Sequence, residues 1–243
     1  MKSIILVTVF ISCTACIFSQ SLGGNAFQAQ SIYTGYAVSG NDVVLPVYKG
    51  GGEIGGNPYF NKDWTKGSVK TTDNNEFSKK LLFMYDKVAG KLYFKNTDSN
   101  VIMEADADKI YSFTLITDKP HVFMRGEFFS PDYKGKFLEV LLYDMNKYSF
   151  LKYTATSFEE PVTSKASQAM TQAISYGKYV DNTTWFIYYN NLLQPVELKK
   201  KSFPKAFEGD VQAKVEAYIK NNSGNFNESY IINMLGDINE DLQ

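Results

Sequence analysis

Residues Lys80 to Lys95 read KLLFMYDKVAGKLYFK, and the fold class follows from this stretch. Two β-prone runs, Lys80 to Tyr85 and Lys91 to Lys95, flank the tight connection Asp86 to Gly90, which is the signature of an antiparallel hairpin. Downstream the pattern repeats. Val101 to Met103, Tyr111 to Thr117, Val122 to Phe129, Phe137 to Tyr143 and Tyr148 to Thr154 are short β-prone runs. They are separated by turn residues at Asn96 to Asn100, Asp118 to Pro120, Ser130 to Asp132 with Gly135, and Asp144 to Asn146. No span here of helical length shows a clean period of three to four, so alternating helices and a parallel sheet are not expected.

Beyond Thr154, Glu159 to Tyr176 is polar and small and reads as a loop or flap. Thr183 to Tyr189 and Val196 to Leu198 then resume the strand pattern. The period changes near Ser202. Phe203, Phe207, Val211, Val215 and Tyr218 recur every three or four residues, as do Tyr230, Ile231, Met234, Leu235 and Ile238. Two amphipathic helices are expected, the first broken at Gly209, with Asp210 and Asn227 as N-caps. The fold class is therefore mainly β of α+β type: an antiparallel meander, sandwich or half-barrel with two short C-terminal helices.

Upstream, Met1 to Gln20 carries Lys2, an apolar run from Ile4 to Ile11 and small residues at Ser12, Thr14, Ala15 and Ser19, the layout of a secretory signal. The run is too short for the ~20 residues that span a bilayer, and no transmembrane helix is expected. Both cysteines, Cys13 and Cys16, fall inside this segment, so cleavage after Ser19 or Gln20 leaves a thiol-free mature chain. Cys16 after Thr14 and Ala15 also resembles a lipoprotein cleavage site, although Cys13 stands where such sites carry an aliphatic residue. Lipidation at Cys16 is the competing outcome. The organisation is thus a signal peptide over residues 1–20, a Gly/Ser-rich lead-in over 21–56, a β domain over 57–200 and a helical tail over 201–243. In the lead-in, Gly50 to Gly55 formally fits a dinucleotide-binding glycine pattern, but Gly56-Asn57-Pro58 follows and cannot open the helix such a site needs.

At Gly56-Asn-Pro-Tyr-Phe60, with Trp64 and Gly67, and again at Leu81 to Phe94, the chain resembles a group of uncharacterised exported β-rich envelope proteins of Bacteroidota. That resemblance implies an envelope location and no known activity. The chain departs from the group's pattern at Asp86 and in its long lead-in. Substrates of the secretion system typical of such bacteria end in a β-rich sorting domain, whereas Asn239 to Gln243 follow helices. The periplasm or an outer-membrane-associated position is the expected location.

Composition removes several chemistries. The formal net charge is -1, and of 25 basic residues only Arg125 is an arginine, which argues against nucleic-acid recognition. His121 is the single histidine, so any Ser-His-Asp or Cys-His arrangement runs through it. It follows Lys119-Pro120 at a strand start, where a rim position is expected. Glu104, Asp106 and Asp108 alternate, and would share one face if a strand ran through them. Three like charges on one face repel, so either a cation such as calcium sits there or the segment is a solvated edge or turn, and the glycine and distal Glu of an EF-hand loop are missing. Trp185 and Tyr189 offer stacking surfaces for sugar rings, and ordinary cross-strand packing accounts for the same residues. Lys199 to Lys201 reads as a solvated join.

These readings favour an exported, non-catalytic binding or structural protein whose partner is an envelope protein, a glycan or a lipid. The alternatives are a carrier that shelters an apolar ligand and a carbohydrate-binding or carbohydrate-active protein.

Overall fold

A computed structural model describes residues 55–99, 101–160 and 177–242. The signal segment with Cys13 and Cys16, the lead-in as far as residue 54 and most of the 159–176 loop lie outside the described residues. The remainder is two antiparallel sheets and two helices. The strands are β1 (Lys66–Thr71), β2 (Glu76–Phe77), β3 (Leu81–Asp86), β4 (Lys91–Asn96), β5 (Ile102–Glu104), β6 (Ile110–Ile116), β7 (Pro120–Arg125), β8 (Phe137–Leu142), β9 (Ser149–Glu159), β10 (Lys178–Tyr189) and β11 (Leu192–Val196). The helices are α1 (Gly209–Asn221) and α2 (Glu228–Glu240).

Eight strands form one open sheet in the order β11-β10-β9-β8-β7-β6-β1-β2, and β3-β4-β5 form a second. The quoted hairpin is β3–β4. Asp86 is fully buried at its turn, and its carboxylate accepts the Val88 and Ala89 N–H groups at 2.9 Å each. Because side chains alternate along a strand, one row of cross-strand neighbours organises the large sheet. It runs Phe77, Val69, Phe113, Phe123, Glu139, Lys152, Trp185, Val196 across all eight strands. The β2-to-β7 end of this face lies under the small sheet, where Phe83, Phe94 and Phe113 are essentially inaccessible. The β9–β11 end lies under the helices, where Phe150, Phe203, Phe207 and Leu235 are likewise buried. Glu139 and Lys152 stand where the two covers meet.

The opposite face is partly covered by the segment after β7, whose short 3-10 turns deliver Phe129 and Tyr133 onto Met124, Leu138, Leu151 and Phe186. Both sheet edges are blunted. β2 is two residues long, and Pro195 in β11 has no N–H to offer a further strand.

The Gly56-to-Phe60 segment is a strap. Gly55 pairs with Lys178 at one end of β10, and Phe60 N–H donates to the Tyr85 carbonyl at 2.8 Å, tying the small sheet to the large one. Gly56 has φ +77°, and a Cβ there would stand 2.2 Å from the Tyr179 carbonyl oxygen, so only glycine fits.

The helical tail differs from expectation in one detail. α1 starts at Gly209, whose φ of +54° makes the expected break, and Asp210 lies in the first turn instead of capping. Asn227 does cap α2, accepting from Tyr230 N–H at 3.0 Å. No helix among the described residues is long and apolar enough to cross a membrane.

Candidate functional site

Two places gather polar chemistry, and the first is the seam between the covers. Glu139 Oε1 meets His121 Nδ1 at 2.7 Å, and its Oε2 meets Lys152 Nζ at 2.8 Å. Lys152 reaches on to Glu228 at 3.3 Å, and Glu228 accepts the Trp185 indole N–H at 2.8 Å. The line runs from β7 through β8, β9 and β10 to the first turn of α2. Phe60 closes it from the strap side, edge-on to His121 at 5.0 Å. Glu139 and His121 are only 6% and 13% exposed at the side chain. The lone histidine is therefore not at the rim.

A second ion pair crosses the same gap, where Lys87 of the β3–β4 turn donates to both oxygens of Asp181 at 2.7 Å and Thr156 donates at 2.5 Å. The space left between Tyr85, Phe137, Glu139 and Lys152 is about 10 Å³, room for about one water. Among the described residues these groups answer one another, and the space beside them is of water size.

Burial works to lower the Lys152 ammonium, but Glu139 and Glu228 win and hold it above its ordinary range. At Asp181 burial works to raise the carboxyl, but Lys87 and Thr156 win and hold it below. A depressed acid stabilises the fold above its unfolded value, about 3.9, and that contribution is lost as pH falls through the folded value. A raised base stabilises below its unfolded value, about 10.4, and its contribution is lost as pH rises through the folded one. The urea midpoint of Asp181→Asn is thus expected to lie below wild type at pH 6, with the gap closing as pH falls below the unfolded carboxyl value of about 3.9 and through the lower folded one. A gap that held constant into acid would mean that the charge of Asp181 contributes nothing.

The second place is a cleft of about 510 Å³ between the β10–β11 hairpin and the start of the helical tail. Tyr148 and Tyr189 stack in parallel on its wall, 4.2 Å apart with planes 21° apart. Tyr148 is buried (7% exposed) and backed by Phe207 at 5.0 Å. Its backbone is gripped by the Asn239 amide of α2, which accepts from Tyr148 N–H at 3.1 Å and donates to Tyr148 C=O at 2.8 Å. Burial first, then Tyr189 and Glu208, push the Tyr148 phenol above its usual range, so it stays protonated and neutral. Asn190 and Asn191, at φ +49° and +61°, form the two-residue hairpin turn at the cleft mouth.

The residues singled out from sequence fare unequally. Tyr189 lines this cleft. Trp185, four residues back on the same face, gives its N–H to Glu228 and borders a separate shallow groove with Val196 and Leu198. The structure does not bring the two rings together. Glu104, Asp106 and Asp108 do not share a strand face, because β5 stops at Glu104 and the chain enters a 3-10 turn capped by Asp106. The chain's own cations answer them: Lys91 lies 2.9 Å from Glu104, Lys109 3.5 Å from Asp106 and Arg125 3.8 Å from Asp108. Among the described residues no group of three His, Cys, Asp or Glu could hold a metal ion.

No family model, curated protein or solved structure matches the chain. Function has to be sought in its own geometry. The sequence alone does not mark Glu139, Lys152, Glu228, Lys87, Asp181, Thr156, Asn239 or Tyr148 as site residues. A usable signal existed for the first two: each is the single charge within a run of apolar residues, FLEVLL and SFL-Lys152-Y.

Proposed function

We propose that this is an exported, non-catalytic binding module of the cell envelope whose ligand occupies the Tyr148–Tyr189 cleft. The observation that carries it is the parallel tyrosine stack, held from behind by Phe207 and Asn239, on the wall of a cleft of about 510 Å³. That volume lies in the ordinary range of small-molecule sites, and a pre-fixed aromatic wall lowers the ordering cost of binding. The export signal read at Met1 to Gln20 supplies the compartment.

Two observations favour this reading over the alternatives. The seam's titratable groups are paired with each other and face no cavity of substrate size, so they serve the fold. A carrier would need room between the layers, and there Phe83, Phe94 and Phe113 are buried in the cluster under the small sheet and Phe150, Phe203 and Phe207 in the cluster under the helices.

The test is a thermal-shift screen of a chemically mixed small-molecule library on wild type and Tyr189→Ala side by side. A ligand of the cleft raises the wild-type melting temperature by a few degrees and leaves that of the variant unchanged. Turnover in a broad hydrolase screen, abolished by Glu139→Gln, would overturn the proposal.

A further inference from the structure

We infer that the ligand class of this cleft is an uncharged saccharide, its ring stacked on Tyr189. The inference rests on the cleft reading above and narrows it. Tyr189 is half-buried and is the outer ring of the pair, with the buried Tyr148 as its fixed backing plate. An aromatic face is the negative pole of a quadrupole, and it attracts the weakly positive C–H face of a pyranose while leaving the equatorial hydroxyls free at the ring's edge.

Those hydroxyls need partners that both donate and accept, and the rim supplies amides. Asn190 is presented by the hairpin turn, and Gln194 of β11 stands opposite Ile187 in the sheet. An amide carries both functions and suits adjacent hydroxyls.

Charge narrows the class further. Among the described residues the lining carries one cation, Lys205, and one anion, Glu208, both on the helical side. A phosphate or carboxylate ligand would meet Glu208 and an ammonium would meet Lys205, so the cleft selects neither sign. An acyl chain would cover Ile187 and Leu192 but would strip water from the amides without replacing their hydrogen bonds. A ring with one apolar face and a polar perimeter satisfies the whole lining.

The test is titration calorimetry of the mature protein with cellotetraose, chitotetraose, maltotetraose and xylotetraose, with lauric acid as the lipid arm. At least one tetrasaccharide is expected to bind. Tyr189→Ala should weaken it roughly tenfold or more, whereas Tyr189→Phe keeps the ring and stays within roughly threefold. Gln194→Ala, which leaves the stack intact, is expected to weaken the same sugar and keeps the test open if Tyr189→Ala fails to fold. Silence from all four sugars, or binding indifferent to both Tyr189→Ala and Gln194→Ala, would sink the saccharide assignment. Lauric acid bound in a Tyr189-dependent way would sink it too, while leaving the cleft as the binding site.

Discussion

Glu139→Ala is expected to destabilise the protein by about 3–5 kcal/mol, because it leaves Lys152 and His121 facing each other under cover without the carboxylate between them. Glu139 is 6% exposed at the side chain and holds both partners within 2.8 Å, so it is not the weak surface pair worth under about 1 kcal/mol. Lys152 would keep only Glu228, at 3.3 Å, and His121 only the exposed Asp118, at 3.5 Å. The cost reflects covered groups left short of their nearest partner more than a lost attraction. The double variant Glu139→Leu/Lys152→Met, which removes both charges and fills the row between Phe123 and Trp185, is therefore expected to recover most of the loss. Urea midpoints at constant m measure both changes. A single variant as stable as wild type would show that the seam is wetter than its burial implies.

The seam also explains what sequence could and could not convey. Hairpin β3–β4 was legible because its apolar residues and its Asp86-to-Gly90 turn are contiguous, so local propensity and tertiary packing agree. Strand β1 was not legible on its own residues. In KGSVKT only Val69 and Thr71 are buried, and Gly67 is there because a Cβ would come within 2.0 Å of the Thr114 carbonyl, a requirement set by a strand more than forty residues away. The Asn190-Asn191 turn is local, yet the sequence pattern hides it, because Thr183 to Tyr189 and Val196 to Leu198 read as separate runs whereas Tyr189 pairs directly with Leu192. The carboxylates at 104, 106 and 108 misled for a different reason: alternation implies a shared face only while a strand continues, and this one ends at Glu104. The proline and turn before His121 point to a rim position, but the strap that covers it comes from Phe60, far away in sequence.

The candidate cleft shows the same division. Tyr189 stood out as part of an aromatic run, whereas Tyr148 lies just before β9 and acquires its role through long-range partners: Tyr189, Phe207 and Asn239. The chain thus builds this tyrosine wall from residues far apart in sequence, and the helical tail backs it through Phe207 and Asn239. The seam, at the other end of the same helix, ties that tail to the sheet through Glu228.

Asn239→Leu tests this coupling, and about 2–5 kcal/mol of stability is expected to be lost. Leucine nearly matches the volume but can neither accept from Tyr148 N–H nor donate to Tyr148 C=O, and each buried backbone group left unsatisfied costs about 1–3 kcal/mol. The site is 7% exposed, so water does not readily replace the amide. Asn239→Asp separates the two bonds, since it retains an acceptor for the N–H and loses the donor for the C=O; an intermediate loss is expected. Trp185 distinguishes a local from a global effect. Its indole bonds Glu228 at 2.8 Å at the opposite end of α2, so in a Trp64→Phe background, where it is the sole tryptophan, its emission maximum should stay at the reference wavelength if only the C-terminal turn loosens. A red shift in native buffer would mean that the whole helix leaves the sheet. In either case ligand binding at Tyr189 should weaken, because the ring behind it is no longer fixed. Unchanged stability together with unchanged binding would show that Phe207 alone is enough to hold Tyr148.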